Sequence, residues 1–240
     1  MKLALECRTD LLEMIQPFAD FDFILARHVL EDEQYAAYYK ESSRLKVLDN
    51  GVNEEDEPLS LKELKEAFAK INANFVVSPD WINDSVKTIG AYPECVKVFG
   101  EDKVIGVLQG RTPIEALSCL QVYKGHTVAV PYRVGGSDLT TYPEVEALKR
   151  ALVVAHIPAE KFVHLFGFTT LGELLWYENR PNVLSIDTGI PVLLGLLGKD
   201  ILDPMEAKEV PTVEAAKKIE LTQTGWTAII RNIALLRKYL

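Results

Sequence analysis

Short apolar runs alternate with amphipathic stretches along the whole chain. Eight runs rich in Val, Ile, Leu and Phe, at residues 2–7, 22–26, 45–48, 75–78, 104–108, 127–130, 162–166 and 183–186, read as strands. Most show no strict apolar and polar alternation, as expected of strands covered on both faces. Helix-opening signatures lie between them. Ser60 and Glu63, Thr112 and Glu115, and Thr170 and Glu173 stand at capping-box spacing, with Pro113 at the first helical position after Thr112. Asp10 and Glu13 share that spacing and are expected to open the first helix. Strand and helix in alternation predict an α/β fold built on a parallel sheet, and eight strands are the number that closes a (βα)8 TIM-type barrel. Residues 222–240 place Trp226, Ile229, Ile230, Ile233 and Leu236 at helical spacing, which predicts a C-terminal closing helix. Residues 199–213 read as irregular, and the acidic stretch 53–58 as a solvated connection.

With 240 residues, 48% of them hydrophobic, the chain can bury one large core, and no linker or repeat divides it. A single domain over residues 1–240 is therefore expected. No apolar run approaches the roughly 20 residues that span a bilayer, and the first residues lack the apolar core of a signal peptide. The expectation is a cytoplasmic protein with no membrane partner. Three dispersed cysteines, Cys7, Cys95 and Cys119, favour reduced, buried thiols over a disulfide framework or a Cys-rich zinc site. A net charge of −9 excludes a bulk electrostatic grip on nucleic acid and leaves room only for a local basic patch.

In such a barrel the reactive groups lie at the carboxyl ends of the strands. Those ends offer Arg27 and His28, Asp49, Asp80, Gln109 and Gly110, Tyr132 and Arg133, Gly167 and Phe168, and Asp187. Two strands closing on a lone aspartate, Asp49 and Asp187, point to chemistry at a sugar carbon. Each aspartate could instead cap the next helix. Asn50-Gly51 is also a hairpin signal, but a capping box follows it rather than a second alternating strand. His28, His126, His156 and His164 form no metal-spaced pair and read as packed or surface residues. Arg133-Val134-Gly135-Gly136 could hold a phosphate or simply turn the chain.

Taken in order, His28-Val29-Leu30, Leu48-Asp49-Asn50-Gly51, Ser78-Pro79-Asp80, Gly106-Val107-Leu108-Gln109-Gly110, Leu165-Phe166-Gly167 and Ile186-Asp187 resemble the tRNA-guanine transglycosylase superfamily. The likeness covers residues 2–195 and is greatest to a compact, phage-type branch associated with 7-deazaguanine in DNA. It implies a pentosyltransferase without metal or cofactor that exchanges guanine for a 7-deazaguanine base. Asp187 would be the nucleophile, forming a glycosyl ester, and Asp49 the general acid/base. Asp80 would accept from the guanine edge, Gln109 would donate to its carbonyl, Gly110 would let backbone approach, and Gly167 would floor the pocket. The cysteine and histidine zinc site of the tRNA enzymes is absent, as is their aromatic residue shortly after the Asp49 motif, where this chain has Val52 and Asn53. Stacking on the base then falls to Trp81, Tyr132 or Phe168. The missing tRNA-gripping segments favour DNA over tRNA, gripped by Arg133 with help from Arg111 and Lys124. A phage-encoded enzyme would work in host cytoplasm, alone, as a homo-oligomer or with a protein partner. Two alternatives stay open. One is an N-glycosidase or deoxyribosyltransferase acting on free nucleosides or nucleotides, and the other a base-binding partner subunit without turnover.

Overall fold

A computed structural model of the chain describes residues 1–52, 57–136, 143–168, 170–202, 216 and 218–240. Eight parallel strands form one sheet: β1 (Lys2–Leu5), β2 (Asp22–Ile24), β3 (Lys46–Leu48), β4 (Phe75–Val77), β5 (Val104–Val107), β6 (Thr127–Pro131), β7 (Phe162–Phe166) and β8 (Val183–Thr188). Their order is β1-β8-β7-β6-β5-β4-β3-β2. The two ends of that order meet where the Asp20 N–H donates to the Leu3 carbonyl at 2.7 Å and the Leu3 N–H to the Asp20 carboxylate at 2.8 Å. The result is a nearly closed TIM-type barrel. Each expected strand is present. β8 runs two residues further than its apolar run, so Asp187 lies inside the strand, while β1 stops short of Cys7.

Ten helices surround the barrel among the described residues: α1 (Leu12–Ile15), α2 (Ala26–Glu31), α3 (Glu33–Glu41), α4 (Leu61–Ile71), α5 (Ser85–Phe99), α6 (Pro113–Ser118), α7 (Pro143–Ala155), α8 (Leu171–Leu174), α9 (Ile190–Leu196) and α10 (Gln223–Leu236). None is long and apolar enough to cross a membrane. In α4 the Ser60 and Glu63 box forms completely, the face Leu64, Ala67 and Ile71 is buried, and Asn72 ends the helix in the left-handed region at φ 53°. The Thr112 hydroxyl caps α6 by accepting from the Glu115 N–H at 3.2 Å, but the Glu115 carboxylate turns to the Arg111 N–H instead.

Two expected caps fail. Thr170 makes no side-chain capping bond, the Glu173 N–H donating to its carbonyl at 3.2 Å while the Glu173 carboxylate pairs with Arg150, and Asp10 sits in a 3-10 turn, Thr9–Leu11, that precedes α1. Thr222 caps α10, whose buried face is Ala228, Ile229, Asn232, Ile233 and Leu236. Helices α9 and α10 cross closely because Gly195 has no side chain; a Cβ there would stand 2.6 Å from the Ile229 backbone.

Two apolar layers result. An outer core packs strands against helices, and an inner cluster of Ala4, Phe21, Phe23, Val47, Val77, Ile105, Val107 and Ala129 fills the barrel. All three cysteines are free and buried. Of the stretches read as irregular or acidic, residues 203–213 and 53–56 lie outside the described residues.

Candidate active site

The twofold period of a strand builds the site. Ala4, Val47 and Val107 point into the barrel, and two steps further on the same face come Glu6, Asp49 and Gln109. The sheet ladder continues past the strand ends to hold that period: the Glu6 N–H donates to the Thr188 carbonyl at 3.0 Å and the Asp49 N–H to the Ile24 carbonyl at 2.8 Å. On β8, Ser185 and Asp187 share the inward face in the same way. His164, inward on β7, links them, with Nδ1 2.9 Å from Ser185 Oγ and Nε2 3.0 Å from Asp187 Oδ1.

His164 is the residue that the sequence reading undervalued. It is packed, as expected, but its packing is part of the site. Its ring stacks on Phe23 with centroids 5.4 Å apart and meets Phe21 and Phe166 edge-on. This dry floor makes a charged imidazole costly, so burial pushes its pKa down to about 3 and the ring is neutral. A neutral ring has one N–H. Donation from Nε2 to Asp187, with the Ser185 hydroxyl donating to Nδ1, satisfies all three groups.

Asp187 is also bonded by the Gly167 N–H and by the carboxyl of Glu6. Burial, aided by the charge of Asp49, lifts the Asp187 pKa from 3.8 to about 7. Burial also raises Asp49, against the N–H groups of Gly51 and Asn50. The Gly51 N–H reaches Asp49 Oδ2 at 3.1 Å.

Asp80, three residues after the inward Val77 and beyond the end of β4, stands outside the alternation, and amides hold it in place. Asn50 Nδ2 donates to Asp80 Oδ1 at 2.5 Å and to the Ser78 carbonyl at 2.8 Å, and Gln109 Nε2 donates to Asp80 Oδ2 at 2.5 Å. Gln109 Oε1 accepts from the Asn83 N–H at 3.2 Å, which orients the amide. Burial raises the Asp80 carboxyl to about 7 despite these donors. Asn50 therefore ties the ends of β3 and β4 together, and the Asn50-Gly51 pair serves this bridge rather than a hairpin. Gly51 adopts φ 80° beneath Arg27, whose guanidinium donates to the Gly51 and Glu57 carbonyls at 3.0 and 2.7 Å.

The other expected residues divide. Tyr132 and Arg133 follow β6 at the mouth, with the guanidinium 4.9 Å from the Tyr132 ring centroid. Trp81 is partly exposed, its indole N–H on Glu57. Phe168 is buried in the outer core, so it is withdrawn as a stacking surface. His28 lies within α2 and packs edge-on against Tyr35 at 5.3 Å, a helical position in place of a strand end. Gly110 is required by packing, since a Cβ would stand 2.6 Å from the Ala116 nitrogen at the start of α6. Gly167 adopts φ 60°, and Arg150 Nη1 donates to both its carbonyl and that of Phe166 at 2.9 Å. Lys124 precedes β6 and so lies at the opposite end from the mouth, which removes it from any grip there.

Glu6 and the Arg150–Glu173 pair were not singled out from the sequence. A signal for Glu6 existed, since it shares the parity of Ala4 at the end of an apolar run. Among the described residues, no group of three or more His, Cys, Asp or Glu side chains is arranged to hold a metal ion. A comparison with protein-family models and with curated proteins finds no match, so any functional reading rests on the site itself.

Proposed function

We propose that the protein is a pentosyltransferase that exchanges guanine in a nucleic acid, DNA before tRNA, for a 7-deazaguanine base. One juxtaposition carries this reading: Asp187 and Asp49 at one mouth, with Asp80 locked between two amides four strands away from β8. In the forward half-reaction an Asp187 oxygen attacks the anomeric carbon, the bond to the base breaks with its electron pair going to the base, and Asp49 supplies a proton to the leaving base. The incoming base then loses a proton to Asp49 and displaces the ester, which restores the Asp187 carboxylate. Wild-type protein incubated with labelled guanine and separately with single-stranded DNA, duplex DNA, tRNA or deoxyguanosine should label DNA. Label in tRNA alone removes the DNA assignment, label in deoxyguanosine alone favours a nucleoside transferase, and no label in any sinks the exchange reading.

Base choice follows from Asp80 and Gln109. Above its raised pKa of about 7 Asp80 is ionised and only accepts, and guanine offers a ring N–H and an exocyclic amine side by side. Gln109 keeps a second amide N–H for a base carbonyl. Adenine presents an amine where guanine has that carbonyl, which leaves buried polar groups unpaired at about 1 to 3 kcal/mol each. Calorimetric titration should show guanine and a 7-deazaguanine binding and adenine not, and Asp80→Ala should abolish the discrimination. Equal adenine affinity in the wild type would overturn the pocket assignment.

A further inference from the structure

Glu6 follows β1 on the inward face, two residues past Ala4, which pairs with Asp187, and its N–H donates to the Thr188 carbonyl at 3.0 Å. This sets its carboxyl against that of Asp187, the two interacting through a hydrogen bond. Two carboxylates cannot share a hydrogen bond without a proton, so one of them is neutral. The surroundings decide which. Asp187 faces donors in His164 Nε2 at 3.0 Å and the Gly167 N–H, so although burial lifts its pKa to about 7 it ionises before Glu6, which has no such donors among the described residues. The groups acting on Glu6 are of the opposite kind: the Asp187 carboxylate from β8 and the Asp49 carboxylate from the end of β3, with Cys7 and Tyr35 behind it in the outer core, whose thiol and phenol burial pushes up. His164 from β7 is neutral, and Arg27 on α2 acts on Asp49. Glu6 is partly exposed to the mouth, so its proton can exchange with solvent or with a bound substrate.

We propose that Glu6 is a positioning residue of this site: its carboxyl carries the proton of the hydrogen bond to Asp187, which keeps the charge on Asp187 and fixes the oxygen that attacks. The inference rests on the reading of Asp187 as nucleophile. Burial and the Asp187 charge raise the Glu6 pKa well above the usual range, in keeping with a retained proton. The singly protonated pair is then the active form. Raising the pH removes the shared proton, sets two anions side by side and disorders the nucleophile.

The test has an arm that needs no turnover. In protein carrying 13C-labelled glutamate carboxyls, the resonance lost in Glu6→Gln belongs to Glu6. It should report a protonated carboxyl at pH 7 in the wild type and titrate at lower pH in Asp187→Asn, where the neighbouring charge is gone. A Glu6 carboxyl that ionises in the ordinary range in wild type, or that ignores Asp187→Asn, overturns the proposal. In the exchange assay, Glu6→Ala should lower kcat about 10- to 100-fold, the cost of one hydrogen bond to a charged group, with KM little changed. Glu6→Gln keeps a donor without an ionisable proton, so it should retain more of kcat than alanine and lose the alkaline decline of the pH profile. An alkaline limb unchanged in Glu6→Gln overturns the proposal. Absent exchange in the wild type would sink the functional reading, while the carboxyl titration still judges Glu6.

Discussion

Asp187→Asn is expected to abolish base exchange and any covalent nucleic-acid adduct while making the folded protein more stable at pH 8. An amide cannot form the glycosyl ester, so the chemical step has no nucleophile. The stability gain comes from the same burial that tunes the site. Folding raises the Asp187 pKa from 3.8 to about 7, so the folded protein holds this proton more tightly than the unfolded chain. The stability it contributes is complete below about pH 4 and is lost as the pH rises through about 7. At pH 8 the wild type bears the full cost of a buried anion. The gap from 3.8 to about 7 corresponds to on the order of 4 kcal/mol. Asparagine can still accept from His164 and donate to Glu6, so much of that cost is relieved. For a chain of this size each kcal/mol moves Tm by about 2–4 °C. Thermal unfolding of wild type and variant between pH 4 and pH 8 should show the two curves diverging as the pH rises. Residual exchange at wild-type rate removes Asp187 from the nucleophile role, and parallel stability curves remove the buried-anion account.

Arg150→Met should cost about 3–5 kcal/mol, because it leaves the Glu173 carboxylate buried without its guanidinium counter-charge. Both partners are fully buried, with Arg150 Nε 2.6 Å from Glu173 Oε1. Tyr177 donates its hydroxyl to the same oxygen at 2.9 Å. The double variant Arg150→Met with Glu173→Gln removes the stranded charge and should recover at least half of the loss in urea denaturation. Equal stability of single and double variants would show that the charge is not what the single variant loses. The double variant should still exchange bases slowly. Arg150 also grips the carbonyls of Phe166 and Gly167, and the Gly167 N–H holds Asp187. Restored folding with unrestored kcat would assign Arg150 a positioning role apart from its contribution to stability.

What the sequence determined by itself is the barrel and the height of the reactive layer. Runs such as Val104–Val107 and Phe75–Val77 are apolar through consecutive positions because both faces are covered, and that property is visible in one dimension. The carboxyl end of each run then marks the mouth, which is why Asp49, Asp80, Gln109 and Asp187 could be named before any coordinates. The tertiary structure decided which strands stand side by side at that mouth. Glu6 and Asp187 are 181 positions apart in the chain, yet β1 pairs with β8, with Ala4 opposite Asp187, because closing a cylinder joins its first and last strands. The role of His164 depends likewise on the register of β7 with β8, which sets it opposite Ser185 and within reach of Asp187. Local cap signals were overruled where burial offered a stronger partner: the Glu173 carboxylate has capping-box spacing, but a buried guanidinium outbids the Thr170 backbone N–H. Composition shows that charges exist in the chain; only packing determines which lose their water, and that loss moves Asp80 and Asp187 toward neutral pH and keeps His164 uncharged.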